Sequence, residues 1–192
     1  MSPLSLPSAS ASRADGGERS VAVAVPPFAE VYRANAAFVW RILRRLGVRE
    51  ADLEDVCQEV FLVVHRKLAD FDGGCAIRTW LFAICSRTSA AYRRRAHIRR
   101  ERTYDEAHEQ SAAATQADDL DQARARRKLD EILDSLDDAK RAVFVLYELE
   151  RLPMNEVAEM VDCPVQTAYS RLHAARRDVE AAVRRSLARS PS

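Results

Sequence analysis

The stretch 153–179, PMNEVAEMVDCPVQTAYSRLHAARRDV, decides the fold. Met154, Val157, Ala158 and Val161 recur at helical spacing and mark a short helix ending near Val161. Asp162-Cys163 makes a tight turn, and a second helix is expected to start with Pro164. Proline suits the first helical position because its missing N–H would have no intrahelical partner there. Val165, Ala168, Leu172, Ala175 and Val179 form the apolar side of this longer helix. A short helix, a turn and a longer helix make a helix-turn-helix, whose second helix can project into a major groove.

With Val165, Ala168 and Leu172 toward the core, Gln166, Thr167, Tyr169, Ser170, His173 and Arg177 lie wholly or partly outward. Gln can bond adenine bidentately, and Ser, Thr and Arg hold phosphates or bases. Arg171, Arg176, Arg184 and Arg185 add positive charge beside a phosphate backbone. An ordinary solvated basic face would carry the same charge. The arrangement of short helix, turn and proline-started helix is what favours DNA.

Working outward, Leu129, Ile132, Leu133 and Leu136 repeat at i, i+3, i+4 and i+7, and Val143, Leu146 and Tyr147 continue the pattern in a further helix. A separate helical block lies upstream. Phe38, Val39, Ile42, Leu43 and Leu46 form one stripe, and Gly47 is placed to stop that helix. Asp52 is a candidate N-cap for the next helix, whose stripe is Leu53, Val56, Cys57, Val60, Val64 and Leu68. Phe71-Asp72-Gly73-Gly74 reads as a loop. A third helix is expected from about Arg78 to Arg95, burying Trp80, Ala83, Ile84 and Ala91.

No segment sustains a period of two. The expected fold is therefore all-α: two small helical bundles joined by a flexible acidic linker, the second containing the helix-turn-helix. The division runs as a disordered leader over 1–27, a first domain over 28–97, a linker over 98–127 and a second domain over 128–190. The leader is rich in Ser, Ala, Pro and Gly and cannot bury enough apolar surface to order itself. VAVAV at 21–25 reads as a short strand or, preferably, as the end of that tail.

The 192 residues carry a net charge of +1, which conceals an asymmetry. Arg dominates over 87–102 and 171–185, whereas acids gather between Asp105 and Asp138. Local fields set a nucleic-acid contact, so a near-neutral total does not argue against one. The four cysteines (Cys57, Cys75, Cys85, Cys163) form no CxxC pair and read as ordinary thiols rather than a metal or disulfide framework. His65, His97, His108 and His173 have no ligand spacing, and no nucleophile triad, P-loop or dinucleotide pattern appears. No catalytic residue, metal or cofactor is expected, and neither is membrane insertion. The start is a poor secretory signal, which makes the cytoplasm the expected location.

The stretch LERLPMNEVAEMVDCPVQTAYSRLHAARR resembles region 4 of the extracytoplasmic-function sigma factors of the sigma-70 family. That resemblance implies reading of the −35 promoter element by Gln166, Thr167, Tyr169, Ser170, Arg171, His173, Arg176 and Arg177. Asp162 stands where the family usually has a turn glycine, and Asp tolerates positive φ better than most residues. Gln166 replaces a frequent glycine, Ala168-Tyr169 a common Val-Lys or Val-Arg pair, and Ala174 a frequent Arg.

DLEDVCQEVFLVVHRKLADFDGGCAIRTWLFAICSRTSAAYRRR, at 52–95, resembles region 2 of the same family through a D-x-E-D-x-x-Q-E-x-F helix and an F-x-G-x-x-x-x-R-T-W-L motif. With Leu53, Val56, Val60 and Val64 buried, Asp55, Gln58, Glu59 and Leu62 share an outer face. A lone Leu on a polar stripe usually carries no meaning, whereas next to acids and an amide at helical spacing it suits the apolar centre of a partner site. The resemblance implies the partner: core RNA polymerase, through the clamp of its largest subunit. It also implies −10 recognition and opening by the loop over 72–77 and the helix after it, through Asp72, Cys75, Ile77, Trp80, Ser86, Arg87, Arg93, Arg94 and Arg95.

Opened bases need aromatic faces and a phosphate track, for which Trp80, Phe82 and Tyr92 and the arginines are available. Trp80 reads as core when taken alone. Where relatives often have Ala-Arg-Asn, this chain has Cys85-Ser86-Arg87.

Related linkers thread the polymerase channel later used by RNA, and Asp105, Glu106, Glu109, Asp118, Asp119 and Asp121 make this linker strand-like in charge. A solvated spacer is the equal alternative. Relatives are commonly held by an anti-sigma protein, which makes one a candidate partner. The competing reading of the whole chain is a stand-alone helix-turn-helix regulator whose first block senses a signal or dimerises.

Overall fold

The computed structural model describes residues 25–102 and 117–188, all of them in helices, turns or irregular connections. The first block contains α1 (Phe28–Arg45), α2 (Leu53–Lys67) and α3 (Ile77–Arg102). The second contains α4 (Ala117–Asp134), α5 (Asp138–Phe144), α6 (Met154–Met160) and α7 (Val165–Ala188). This is the all-α arrangement that the helical periodicities predict.

α1 and α2 bury their expected stripes, with Cys57 of α2 only partly covered. Val39, Ile42 and Leu43 of α1 meet Leu53, Val60 and Val64 of α2 and Leu81, Phe82 and Cys85 of α3 in the core. Gly47 ends α1 with φ +90°, while the Val48 amide reaches back to the Leu43 carbonyl at 3.1 Å and the Gly47 amide to Arg44 at 3.0 Å. These paired bonds close the last turn in the manner of a Schellman motif, which needs a left-handed residue after the cap. Asp52 does precede α2, but its side chain accepts no helix amide. Its carboxylate instead takes the Tyr92 hydroxyl at 2.5 Å, fastening α3 to the start of α2.

The buried side of α3 is rotated from the expected one. Leu81, Phe82, Ile84, Cys85, Thr88, Ser89 and Tyr92 are buried, whereas Trp80, Ala83 and Ala91 are only partly so. Packing against α6 as well as α1 and α2 widens the buried arc beyond a single stripe.

In the second block, Asp137 caps α5 by accepting the Lys140 amide at 2.9 Å. A π-turn, Val145–Leu149, extends α5, and Arg151 then adopts φ +60° in the bend leading to α6. Asp162 occupies the turn between α6 and α7 with φ +50°, as its position in place of a glycine requires. The Cys163 amide bonds the Ala158 carbonyl at 3.0 Å and the Asp162 amide bonds Glu159 at 3.2 Å. The helix-turn-helix turn is thus another Schellman-type closure, built on aspartate.

Pro164 lies one residue before α7, not within it. Its carbonyl accepts the Ala168 amide at 3.0 Å, so the ring orients the chain from the capping position. Val165 also departs from expectation, being 44% exposed. Helical side chains lean toward the N-terminus, so one in the first turn points off the end of the helix. Ala168, Leu172 and Ala175 are buried as the periodicity predicts.

Both ends of the expected linker over 98–127 are helical, since α3 continues to Arg102 and α4 begins at Ala117. Asp105, Glu106 and Glu109 and most of the VAVAV stretch lie outside the described residues. The two blocks lie against one another. α6 packs on α3, and the buried apolar residues of both blocks form one connected cluster.

Leu172→Ala is expected to destabilise the protein by about 2–5 kcal/mol, because it removes a fully buried side chain and leaves a cavity. Val165→Ala should stay within about 0.5 kcal/mol of wild type, as surface changes usually do. Urea unfolding followed by circular dichroism measures both, and equal effects would contradict the assigned faces of α7.

Candidate nucleic-acid interface

The outer face of α7 carries the helix-turn-helix set. Gln166, Tyr169, Ser170, His173, Arg176 and Arg177 are exposed, and Thr167 and Arg171 are half-buried. The Ser170 hydroxyl donates to the Gln166 carbonyl at 3.0 Å. Arg176 is less free than its exposure suggests. Its guanidinium bonds Glu148 at 2.8 and 2.7 Å and lies 5.8 Å from the centre of the Tyr147 ring. The π-turn bearing Tyr147 and Glu148 therefore braces Arg176 on the rim of the exposed face, a link that sequence spacing does not reveal.

On α2, Asp55 and Gln58 are exposed, and Leu62 is 54% exposed beside them. Glu59 shares this face but is tied at 3.1 Å to Arg95 of α3. The α2 face and the arginine-rich end of α3 consequently adjoin through an ion pair. Near them, Phe28 and Tyr32 of α1 pack edge-on against Phe61 and His65 of α2, and Tyr32 remains exposed. Sequence periodicity gave no reason to single out Tyr32.

The remaining expected residues surround the start and outer side of α3. Asp72 is exposed and accepts the Gly74 amide at 2.9 Å, which shapes the loop. Cys75 and Ile77 are partly exposed beyond it. Trp80 lies half-buried, its ring 5.3 Å from that of Phe71. Arg94 and Arg95 are exposed, while Ser86, Arg87 and Arg93 are half-buried.

Phe82 and Tyr92 are not available for stacking. Both are buried in the core, and the Tyr92 hydroxyl is bound to Asp52. They fall on the side of α3 that meets α1 and α2, leaving Trp80 as the partly exposed aromatic of that set.

The cysteines behave as protonated thiols. Burial pushes Cys85 far above the usual thiol range, and burial likewise raises Cys57 and Cys163. For Cys75, burial acts first and the charges of Glu159 and Asp72 add to it. A protonated thiol presents no negative charge to a phosphate backbone. Among the described residues, no group of His, Cys, Asp and Glu is arranged to hold a metal ion, and no helix is long and apolar enough to cross a membrane.

Comparison with known proteins matches both blocks. The family model described as Sigma-70 region 2 covers residues 31–99, and that described as Sigma-70, region 4 covers residues 126–179. The chain is 32% identical over 143 residues to the ECF RNA polymerase sigma-E factor of Haemophilus influenzae, spanning 69% of this chain and 75% of that protein. It shows the same identity over the same length to the sigma-E factor of Escherichia coli K12, 74% of which is covered.

Two solved structures share the fold. CnrH, in complex with the cytosolic domain of CnrY, superposes with a TM-score of 0.61 at 24% identity, over 85% of this chain and 89% of that one. The sigma factor RpoE of Bartonella quintana, in complex with the anti-sigma factor NepR, gives 0.61 at 20% identity, over 82% and 96%.

Alkylation of the native protein with iodoacetamide should leave Cys85 unmodified and modify Cys75 and Cys163 slowly, with all four reacting after denaturation. Mass spectrometry reads the outcome. Native labelling of Cys85 at its denatured rate would contradict the packing of α3.

Proposed function

The chain belongs to the extracytoplasmic-function sigma factors of the sigma-70 family, and we propose that its two DNA-facing surfaces and its α2 face divide the work of promoter-directed initiation as follows. The protein binds core RNA polymerase and promoter DNA and directs transcription initiation. One observation carries the finer assignment: a partly apolar face on α2, a basic and partly aromatic border on α3 and an exposed polar recognition helix α7 occur on one chain, in the order of the matched regions.

In this reading, the domain over 28–97 docks on the polymerase clamp through Asp55, Gln58, Glu59 and Leu62. Leu62 supplies apolar burial at the centre, and the carboxylates meet basic groups at the rim. The loop over 72–77 and α3 receive the opened −10 strand. Asp72, Cys75 and Ile77 shape the pocket, Trp80 offers a stacking edge, and Ser86, Arg87, Arg93, Arg94 and Arg95 hold phosphates.

The domain over 128–190 places α7 in the major groove of the −35 element. Gln166 and Thr167 stand at the N-terminal end, where recognition helices reach base edges. Arg171, Arg176 and Arg177 hold the backbone, and Tyr169, Ser170 and His173 complete the contact. Each contact alone is weak, and the polymerase raises the effective concentration of the second once the first has formed. A stand-alone regulator would leave the match to region 2 without a role. An anti-sigma protein completes the set of partners proposed for this chain, because the Bartonella quintana relative is solved in complex with its anti-sigma factor NepR.

Asp55→Lys combined with Leu62→Ala should weaken binding to core polymerase at least tenfold while leaving the circular dichroism spectrum unchanged. Undiminished binding would remove the α2 face from the mechanism. Gln166→Ala should cost about 1–3 kcal/mol of discrimination at one −35 base pair. Arg177→Ala should instead weaken all promoters alike and lower the salt dependence by roughly one counterion. Competition binding by the polymerase holoenzyme separates these two behaviours.

A further inference from the structure

The recognition face of α7 is not uniformly polar. Among the described residues, the exposed large apolar side chains of the second block are Val165, 44% exposed, and Tyr169, 40% exposed, and both belong to this helix. They stand four residues apart in its first two turns. At about 3.6 residues per turn, Val165, Tyr169 and Arg176 fall within roughly 40° of one another, and Gln166, Ser170, His173 and Arg177 form the neighbouring ridge. The exposed face therefore has an apolar edge along its N-terminal half, a polar ridge beside it and cations farther along both.

Packing within the protein does not account for that edge. Ala168, Leu172 and Ala175 supply the buried side of α7. Val165 precedes them, and its side chain leans off the N-terminal end of the helix. Among the described residues no hydrogen bond, ion pair or ring contact holds the Tyr169 side chain. Arg176, on the same edge, is by contrast fixed by Glu148 and Tyr147.

Apolar groups left in water gain free energy when a partner covers them. The major groove offers one apolar feature, the 5-methyl group of thymine; its other groups are hydrogen-bond donors and acceptors. Gln166, on the adjoining ridge, suits the adenine edge, which it can bond bidentately. An A·T pair presents that edge and the methyl group side by side, as α7 presents its polar ridge and apolar edge. The spacing also fits. Four residues advance about 6 Å along a helix, close to two base steps of about 3.4 Å each.

We infer that Val165 and Tyr169 read thymine methyl groups in the −35 element, so that the chain favours thymine over an unmethylated pyrimidine at the positions they touch; the inference rests on the assignment of α7 to −35 DNA. Val165 thereby joins the contact surface as a specificity residue. Tyr169 acts through the edge of its ring, because the bases of a closed duplex are stacked and unavailable to its face.

Holoenzyme assembled from core polymerase and the full chain provides the test. A randomised promoter library first yields the preferred −35 sequence. Each thymine in it is then replaced singly by deoxyuridine, which deletes the 5-methyl group and keeps every hydrogen-bonding group. Competition binding should show an about fourfold loss at two positions no more than two base steps apart, the size expected for uncovering one methyl-sized apolar group. Tyr169→Ala should bind the thymine promoter more weakly and lose the deoxyuridine effect at one of these positions. Val165→Ala should do the same at the other. Both side chains are exposed, so circular dichroism should show unchanged helix content.

A preferred −35 sequence without thymine on either strand would overturn the inference. So would insensitivity to deoxyuridine at every position, or an effect that survives in both variants. A single sensitive position would retain only the residue whose replacement erases it. In each of these cases Gln166→Ala can still change the preferred base, and the −35 assignment of α7 then stands. If the library yields no −35 block at all, that assignment fails and the methyl contact fails with it.

Discussion

The carbonyl of Leu46 belongs to the final turn of α1, where the helix dipole leaves partial negative charge and no amide follows to satisfy it. Two guanidinium groups, from Arg93 and Arg141, converge on that atom. Gly47, at φ +90°, turns the chain away sharply enough to admit them. One of these arginines belongs to the matched region 2 and the other to region 4. The end of a single helix therefore anchors the first block internally and joins it to the second. Burial, and then the proximity of Arg93, lower the pKa of Arg141, so the concentration of positive charge carries an energetic cost. Asp134 and Asp138 offset it from the second block.

The helices were legible wherever one apolar stripe carried the packing, as in the three-helix contact of α1 and α2 with α3. The α1 and α2 stripes, the stop at Gly47 and the aspartate turn at Asp162 all follow from spacing and from the conformations that Gly and Asp tolerate. Prediction slipped by a residue at Pro164, because proline fits the capping position as well as the first helical one. It also misplaced Val165, where the helix has no earlier turn to cover the side chain. On α3 the stripe rule selects Trp80, Ala83, Ile84 and Ala91, of which Ile84 is buried, whereas contact with three helices buries a broader arc that includes Phe82 and Tyr92. A helix packed on three neighbours has no single face to read.

The functional surface divides along the same line. Exposure of Gln166, Tyr169 and Ser170 on α7, and of Asp55, Gln58 and Leu62 on α2, follows from the helical period. The tertiary partners do not. Nothing local ties Glu59 to Arg95, Arg176 to Tyr147 and Glu148, or Arg45 to Glu150. Arg141 alone gave a local hint, as a charge embedded next to the apolar run Ala142-Val143-Phe144. A charged residue in such a place calls for a partner, although sequence does not say which one. The comparisons supply the family, and the geometry shows which of the expected residues are exposed and which, like Phe82 and Tyr92, are buried.

One chain supplies polymerase with both halves of a promoter contact. Run-off sequencing over a randomised promoter library, with purified core polymerase and this protein, tests it most directly. Initiation should depend on the added chain, with enrichment of two sequence blocks at a fixed separation upstream of the start. Initiation no greater than core polymerase alone, or enrichment of a single block, would contradict it.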